Sequence, residues 1–342
     1  MNQQPYPTSW QSHTFRAMGS QIVLWLDTTD RSNTASAFAE VRALFARNES
    51  ALSRFSPHSE LMQLNGRTKQ WVPVSALLWR EVTLALQMAA QTNGRFDPTL
   101  LHALTYAGYD RSFEAVTGGV RNGRWLEPEQ LYGRWQEVEL DERRRAVRLP
   151  AGVGLDLGGI AKGDTAQQAL RLLQSVGPAL VDAGGDLVAG SAPAGCPGWP
   201  VGLSAPGSET AAANDLATFW LAEGALATSG VDFRSWVQDG VVAHHLIDPH
   251  TGQPAQTDVL TTTVSAPEAA VAEAWATAAL VVGAERGINL LLDHDLAGLV
   301  IVRDGRILAT PAMDHLLQGT QSFIEKTTNY ANLRRLRTGF SF

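Results

Sequence analysis

The sequence predicts an α+β fold. Some segments have the apolar spacing of helices, and other, short apolar segments are typical of strands. Because the predicted helices and strands do not alternate strictly along the chain, the sequence favours an α+β fold over a doubly wound sheet. No internal repeat or linker divides the chain. With 342 residues, of which 44% are hydrophobic and 18% charged, it can bury a large core in one big domain or two intimate ones.

Four stretches are predicted to be helices, the first three of them from the helical spacing of their apolar residues. They are residues 35–52, Ser75 to Asn93, Gly159 to Gly177 and about Glu268 to Val282. Strands are predicted at Gln21 to Leu26, Ala179 to Val181, around Phe219 and Ala243 to Ile247. The sequence from Gly298 to Thr310 predicts a terminal hairpin that turns at Asp304-Gly305.

Two stretches predict irregular structure. Residues 105–150, with Gly118-Gly119, predict hairpins and loops, and residues 190–215, rich in Gly, Ala, Pro and Ser, predict a long loop.

Charge and cysteine content exclude several classes of protein. The formal net charge of -7 argues against a nucleic-acid-binding surface, and the late basic cluster Arg334, Arg335 and Arg337 is short and predicted to be solvated. With Cys196 as the single cysteine, neither an intrachain disulfide nor a zinc-thiolate site can form.

The N-terminal residues are polar, and no segment approaches the roughly 18 apolar residues of a membrane span. We therefore expect a cytoplasmic protein. An exported form stays open if residue 1 is not the native start.

The segment Asp156 to Gly163 places an acid, two adjacent glycines and Lys162 at the start of a predicted helix. Glycines let the backbone approach a ligand, and a helix N-terminus with a lysine favours phosphate. A purely structural glycine turn is an equal alternative, because neither a Walker pattern nor a dinucleotide-binding glycine motif is present.

Glu273 and Thr277 are four residues apart and share one face of a predicted helix. Two hard oxygen ligands on a rigid face suit Mg²⁺, although a solvated helix face is the commoner meaning of this spacing.

The segment His244 to Gly252 contains three histidines and Asp248 near a strand end, where a histidine can carry a proton or bind a metal. Two further segments, Gly94 to Thr99 and Thr228 to Gly230, resemble loops that bring polar groups to a pocket, but turn formation explains each of them as well.

Together and in this order, these segments resemble the ApbE family of flavin transferases, from about Met18 to about Gly283. Eight segments carry the resemblance: Ala17 to Ser20, Leu52 to Asn65, Gly94 to Thr99, Asp156 to Gly163, Asp182 to Asp186, Ala227 to Gly230, His245 to Gly252 and Ala272 to Ala278.

The resemblance implies a single T-fold-like α+β domain over residues 15–320, with an N-terminal extension at 1–14 and a C-terminal tail at 321–342. It also implies FAD contacts by Met18, Phe55, Arg95, Phe96, Asp97, Asp156, Lys162, Ser229 and His245. The metal ligands it implies are the Gly159 carbonyl, Glu273 and Thr277, and the catalytic candidates are His245 and Asp248.

The activity it implies is Mg²⁺-dependent transfer of the FMN part of FAD to a Ser or Thr hydroxyl of a flavoprotein, with release of AMP; Mn²⁺ is a possible substitute. Two alternatives stay open: a Mg²⁺-dependent FAD pyrophosphatase, and a non-catalytic FAD-binding protein.

The sequence departs from the family pattern at four places. Glu273 stands where the family usually has Asp, Phe55 where it often has Tyr, and Asp164 where it usually has an aromatic residue. The stretch Ser229 to Arg234 is also altered. The longer arm of Glu273 bears most directly on the predicted metal site.

Overall fold

The computed structural model describes residues 9–111, 132–204, 206, 215–232, 234–238 and 241–316. The Gly118-Gly119 pair, the predicted tail at 321–342 and its cluster of three arginines lie outside the described residues.

The described residues form seven α-helices and two short 3₁₀ helices at Trp135–Glu137 and Pro311–His315. In chain order the α-helices are α1 (Arg31–Leu52), α2 (Glu60–Asn65), α3 (Ala76–Gln91), α4 (Leu101–Tyr106), α5 (Ala161–Leu173), α6 (Ala269–Val281) and α7 (Ala284–Asp293).

Strands make up the rest of the regular structure. They are β1 (Trp10–Ala17), β2 (Ser20–Asp27), β3 (Trp71–Pro73), β4 (Glu139–Asp141), β5 (Ala146–Arg148), β6 (Ala179–Ala183), β7 (Leu187–Ala189), β8 (Trp199–Ser204), β9 (Asp215–Leu221), β10 (Gly224–Gly230), β11 (Ser235–Gln238), β12 (Val241–His244), β13 (Ile247–Asp248), β14 (Gln253–Pro254), β15 (Val259–Ala266), β16 (Ala297–Val302) and β17 (Ile307–Ala309).

Eight strands form one antiparallel sheet in the order β1-β2-β6-β7-β10-β15-β16-β17. Alternate side chains of each strand point to opposite faces. On β6, Val181 packs into a cluster with residues of α1 and α5, whereas Leu180 packs with the β8–β9 hairpin on the other face. Both faces of the sheet are therefore covered, which confirms the predicted α+β class.

Side chains cap the first turns of α1, α2 and α3. The Asp30 carboxylate accepts the amides of Ser32 and Asn33 at 3.1 Å each, so α1 begins four residues before the predicted start. The Ser75 hydroxyl accepts the Leu78 amide at 3.2 Å and fixes the predicted start of α3. Such caps satisfy amides that have no partner within the helix.

Two parts of the sheet structure differ from the sequence-based expectation. Strand β1 pairs with β2 from Trp10 to Ala17, so residues 10–14, expected to precede the domain, lie in the sheet. The predicted loop 190–215 contains β8, where Trp199, Val201 and Leu203 alternate with less buried residues. Its glycine- and proline-rich composition concealed this alternation.

The predicted terminal hairpin is confirmed, since β16 and β17 pair on either side of Asp304-Gly305. Within the described ranges, none of the helices combines the length and the apolar character that crossing a bilayer requires.

Candidate active site

The start of α5 forms one wall of the site. Gly159 lies against the buried Phe96 ring, and a Cβ at Gly159 would come within 2.9 Å of that ring. Phe96 therefore supports the glycine turn from the protein interior. The Asp156 carboxylate accepts the Gly158 amide at 2.9 Å and closes the turn before the helix.

Lys162 lies between two carboxylates. Its Nζ is 2.7 Å from Oδ2 of Asp186 and 3.0 Å from Oε1 of Glu273. All three side chains are largely buried, with exposed fractions of 13% for Lys162, 10% for Asp186 and 5% for Glu273. Burial lowers the pKa of the Lys162 ammonium, but the two carboxylates outweigh it and the net shift is upward, so Lys162 is charged at neutral pH.

Glu273 uses both carboxylate oxygens. Oε1 accepts from Lys162, and Oε2 accepts the Gly163 main-chain amide at 3.2 Å. Burial raises the pKa of Glu273, Lys162 opposes that shift, Asp186 adds to it, and the net shift of the pKa is upward. The carboxylate lies at the N-terminus of α5, where the main-chain amides attract negative charge.

Thr277 follows Glu273 by four residues on α6, as predicted. Its hydroxyl oxygen is 2.9 Å from the hydroxyl oxygen of Ser229 on β10, the strand against which α6 packs. Ser229 was predicted to contact FAD and Thr277 to bind the metal, and this contact places the two hydroxyl groups side by side.

The residues present fit a magnesium ion. Glu273, Thr277 and the Gly159 carbonyl offer the hard oxygen atoms that Mg²⁺ prefers, and Glu273 and Thr277 are one turn apart on α6. In the described part of the chain, no hydrogen bond to the Gly159 carbonyl is recorded. Nor do those residues include a cluster of three or more His, Cys, Asp or Glu side chains able to hold a metal, so the shell would include substrate oxygens or water.

His245 lies beside a row of aromatic side chains. Its ring is 6.3 Å from that of Tyr109, edge to face, and its buried Nδ1 has no hydrogen-bond partner among the described residues. Burial, followed by the nearby charge of Arg234, lowers the pKa of His245 well below its usual value. The imidazole is therefore neutral at pH 7 and able to accept a proton.

Arg54 links this row of rings to the glycine turn. Its guanidinium lies 4.3 Å from the ring centres of both Phe55 and Tyr109, and its Nε is 2.8 Å from the Asp156 carboxylate. The Phe55 ring is 42% exposed and offers a free aromatic surface, which suits stacking with a planar ligand ring.

Two predicted FAD contacts lie in a supporting loop. The Asp97 carboxylate accepts the amide and hydroxyl of Thr99 at 2.6 and 2.5 Å, and burial raises its pKa to about 6. Arg95 donates to the Thr92 carbonyl at 3.2 Å. Arg95 is therefore held within the loop, whereas Asp97 also interacts with the main chain of Trp135.

Met18 forms the turn between β1 and β2 together with Gly19, and both residues have positive φ, of 52° and 67°. Next to this turn, the Ser20 hydroxyl accepts a hydrogen bond from Arg234 at 3.3 Å. The turn is thereby connected to the His245 side of the site.

Asp248 and His244 are held in structural contacts. The Asp248 carboxylate accepts the His250 amide at 2.9 Å within the Asp248 to Gly252 turn. His244 is buried, and its Nε2 hydrogen-bonds to the Ala255 carbonyl at 3.1 Å. Within the described part of the chain, no hydrogen bond or ion pair joins Asp248 to Lys162, Glu273 or His245, so its catalytic role remains a prediction.

Four residues of the site were not among the predicted contacts: Arg54, Tyr109, Asp186 and Arg234. Three of them, Arg54, Asp186 and Arg234, lie in or beside segments that carry the resemblance. Their charged side chains next to predicted contacts could therefore have indicated that they belong to the site. Tyr109 lies in the irregular stretch, and no sequence signal pointed to it.

Comparison with known proteins gives one consistent family. The model of the ApbE family matches residues 18–300. The FAD:protein FMN transferase of Treponema pallidum (strain Nichols) is 32% identical over 289 residues, covering 80% of this chain and 79% of that protein. The FAD:protein FMN transferase of Klebsiella pneumoniae (strain 342) is 28% identical over 285 residues, covering 81% and 79%.

Solved structures agree in fold. The ApbE protein of Thermotoga maritima superposes with a TM-score of 0.81 at 25% identity, covering 90% of this chain and 99% of that one. The flavin transferase ApbE of Vibrio cholerae shares the fold, with a TM-score of 0.77 at 22% identity over 91% and 100% of the two chains. The resemblance of the eight segments is confirmed, and the chain belongs to the ApbE family.

Proposed function

We propose that this protein is an FAD:protein FMN transferase, which moves the FMN part of FAD onto a Ser or Thr hydroxyl of a target flavoprotein and releases AMP. The family match and the printed activity of its relatives support the transfer of FMN to protein. The observation that carries the proposal is the contact between Lys162 and Glu273 at the start of α5, one helical turn from Thr277.

In this reaction the acceptor oxygen forms a bond to the FMN-side phosphorus, and the bond from that phosphorus to the bridging oxygen breaks. AMP leaves with the bridging oxygen, and the proton of the acceptor hydroxyl passes to a base. The protein has to neutralise the pyrophosphate and hold the attacking and leaving oxygens in line.

Glu273, Thr277 and the Gly159 carbonyl are the proposed ligands of Mg²⁺, with Mn²⁺ as a substitute. Bound there, the ion would offset the charge that develops on the phosphate oxygens. Lys162 adds a second positive charge, and the N-terminus of α5 favours an anion at the same place.

His245 is the proposed proton acceptor. Its lowered pKa keeps the ring neutral at pH 7, and Arg234 and Tyr109 lie next to it. Phe55, with Arg54 behind it, and Asp156 are the proposed binding surface for a planar ring of FAD. In this arrangement Phe96, Asp97 and Arg95 support the glycine turn and its neighbouring loop.

One experiment separates transfer from the two alternatives. Purified protein is incubated with FAD, Mg²⁺ and an acceptor domain bearing a Ser or Thr flavinylation motif, and protein-bound flavin and free AMP are measured. Covalent flavin and AMP in equal amounts support the transferase.

Free FMN and AMP without bound flavin would show a pyrophosphatase instead. Retention of intact FAD without AMP would show a binding protein. An acceptor with its Ser or Thr replaced by Ala is the matched control, and it should take up no flavin. The cytoplasmic location stays a prediction from the sequence.

A further inference from the structure

The ammonium of Lys162 lies beside the Glu273 carboxylate and supplies the positive charge that a metal bound to Glu273 would supply. Oε1 of Glu273 is 3.0 Å from Nζ of Lys162, and Oε2 is bonded to the Gly163 amide. A magnesium ion binds oxygen at about 2.0–2.1 Å. An ion on Oε1 would therefore lie close to an ammonium bonded to the same oxygen, and the two positive charges would repel each other.

Asp186 offers Lys162 a second partner. It lies directly before β7 in the tight β6–β7 connection, where its carbonyl accepts the Ala183 amide at 2.9 Å. Its carboxylate is 2.7 Å from Nζ of Lys162, slightly closer than Glu273. The ammonium can therefore leave Glu273 and keep a direct ionic partner.

We propose that Asp186 is a positioning residue that holds Lys162 in the site when Glu273 binds the metal. Lys162 shifts from the shared position to Asp186 alone, and Glu273 becomes free for the metal. This inference rests on the proposed function, because it takes Glu273 as a metal ligand.

The charges support this exchange. With Glu273 in the ionised form that binds a metal, Lys162, Glu273 and Asp186 carry one net negative charge, and a divalent cation changes it to one net positive charge. A net positive site suits the doubly charged pyrophosphate of FAD. Without Asp186, freeing Glu273 would leave a largely buried ammonium with no carboxylate partner, which is strongly unfavourable.

The test measures the binding of Mn²⁺ alone, by electron paramagnetic resonance, to four proteins: wild type, Asp186→Asn, Lys162→Met and the double variant. In Asp186→Asn, Lys162 has only Glu273 as its carboxylate partner and competes harder with the metal. We expect its Mn²⁺ dissociation constant to rise about tenfold, the scale of one charge-assisted hydrogen bond. Lys162→Met removes the competitor and should bind Mn²⁺ at least as tightly as wild type.

The double variant decides how Asp186 acts. If Asp186 acts through Lys162, Asp186→Asn should change the Mn²⁺ dissociation constant little once Lys162 is Met. An equal or larger loss in the Lys162→Met background would overturn the proposal, since a direct ligand, a general charge effect or a damaged fold would persist there. Unchanged binding in Asp186→Asn would overturn it as well.

Two controls complete the design. Asp164→Asn removes the same formal charge from α5, the helix that carries Lys162, but the Asp164 carboxylate pairs with Arg80 at 3.0 Å, so Mn²⁺ binding should not change. Glu273→Gln should abolish Mn²⁺ binding. If Glu273→Gln binds like wild type, the proposed metal site itself fails, whatever Asp186 does.

Discussion

The main-chain amide of Gly163 donates a hydrogen bond to Oε2 of Glu273 at 3.2 Å, and this contact fastens the start of α5 to the middle of α6. The approach is possible because residue 163 has no side chain. A Cβ there would overlap the Glu273 carboxylate and come within 3.0 Å of Cβ of Ala269.

Gly163→Ala should therefore push the Glu273 carboxylate away from its place beside Lys162. We expect a loss of about 1–3 kcal/mol in the free energy of unfolding, as for other overpacked sites. FMN transfer should also fall by at least tenfold. Chemical denaturation and single-turnover transfer measure the two effects. Gly66→Ala, where the nearest atom is 3.5 Å away, is the control and should leave transfer unchanged.

Thr277→Val removes the hydroxyl that meets Ser229 and that we assign to the metal, whereas Thr277→Ser keeps it. Loss of a ligand or of its supporting hydrogen bond typically weakens metal binding about 10- to 100-fold. We expect that loss of Mn²⁺ affinity in Thr277→Val and near-normal affinity in Thr277→Ser. Equal affinities of the two variants would remove Thr277 from the metal shell.

The sequence predicted the fold best where the signal is local. The Glu273 helix is a nearly continuous run of alanine and other apolar residues, and its predicted start and end lie within one residue of those of α6. Strand β8 was missed because glycine and proline dominate its surroundings, and β1 because it is polar on its exposed side. In both strands the composition hides the alternation of more and less buried side chains, which is visible only in the folded structure.

Predicting the site required more than local signals. Lys162 and Glu273 are separated by 111 residues, and no periodicity indicates that they meet. The ordered family segments put both residues in one site, but they did not show that Lys162 also forms an ion pair with Asp186. That contact depends on the order of β6, β7 and β10 in the sheet, which the sequence does not state.

His245→Ala should retain FAD binding and lose transfer. General-base catalysis is commonly worth about 100- to 10,000-fold, so we expect a loss of at least 100-fold in the single-turnover rate. Because the pKa of His245 is lowered, its protonation should slow the wild-type reaction only in acid, well below pH 6.5. His250→Ala, at an exposed turn, is the control and should behave as wild type. Full transfer by His245→Ala would exclude His245 as the base.

Arg54→Gln should destabilise the protein and weaken FAD binding together. It leaves the Asp156 carboxylate, 13% exposed, without its ionic partner, and breaking such a pair commonly costs about 3–5 kcal/mol. Phe55 also loses the group behind its ring. Denaturant unfolding and quenching of FAD fluorescence give the two readouts. Arg148→Gln breaks an exposed ion pair with Glu139 and a contact with the Trp71 ring. It is the control and should change the stability and the FAD affinity by only a small amount.

Glu81 should make the stability of the protein depend on pH. Its side chain is fully buried on α3, and burial, followed by the charge of Asp164, raises its pKa from 4.5 to about 9. Between these two values the folded protein keeps a proton that the unfolded chain releases. The free energy of unfolding should therefore fall as pH rises from 4.5 to 9, by up to about 1.4 kcal/mol per pH unit.

Glu81→Gln removes this titrating proton and should flatten the dependence of stability on pH. As the pH rises from 5 to 9, the free energy of unfolding of the variant should therefore increase relative to that of wild type. Denaturant unfolding at pH 5, 7 and 9 measures the difference. Glu40→Gln makes the same substitution at an exposed position of α1, and its curve should run parallel to that of wild type. If the curve of Glu81→Gln also runs parallel to wild type, Glu81 is ionised in the folded protein and Arg80, 2.7 Å away, outweighs its burial.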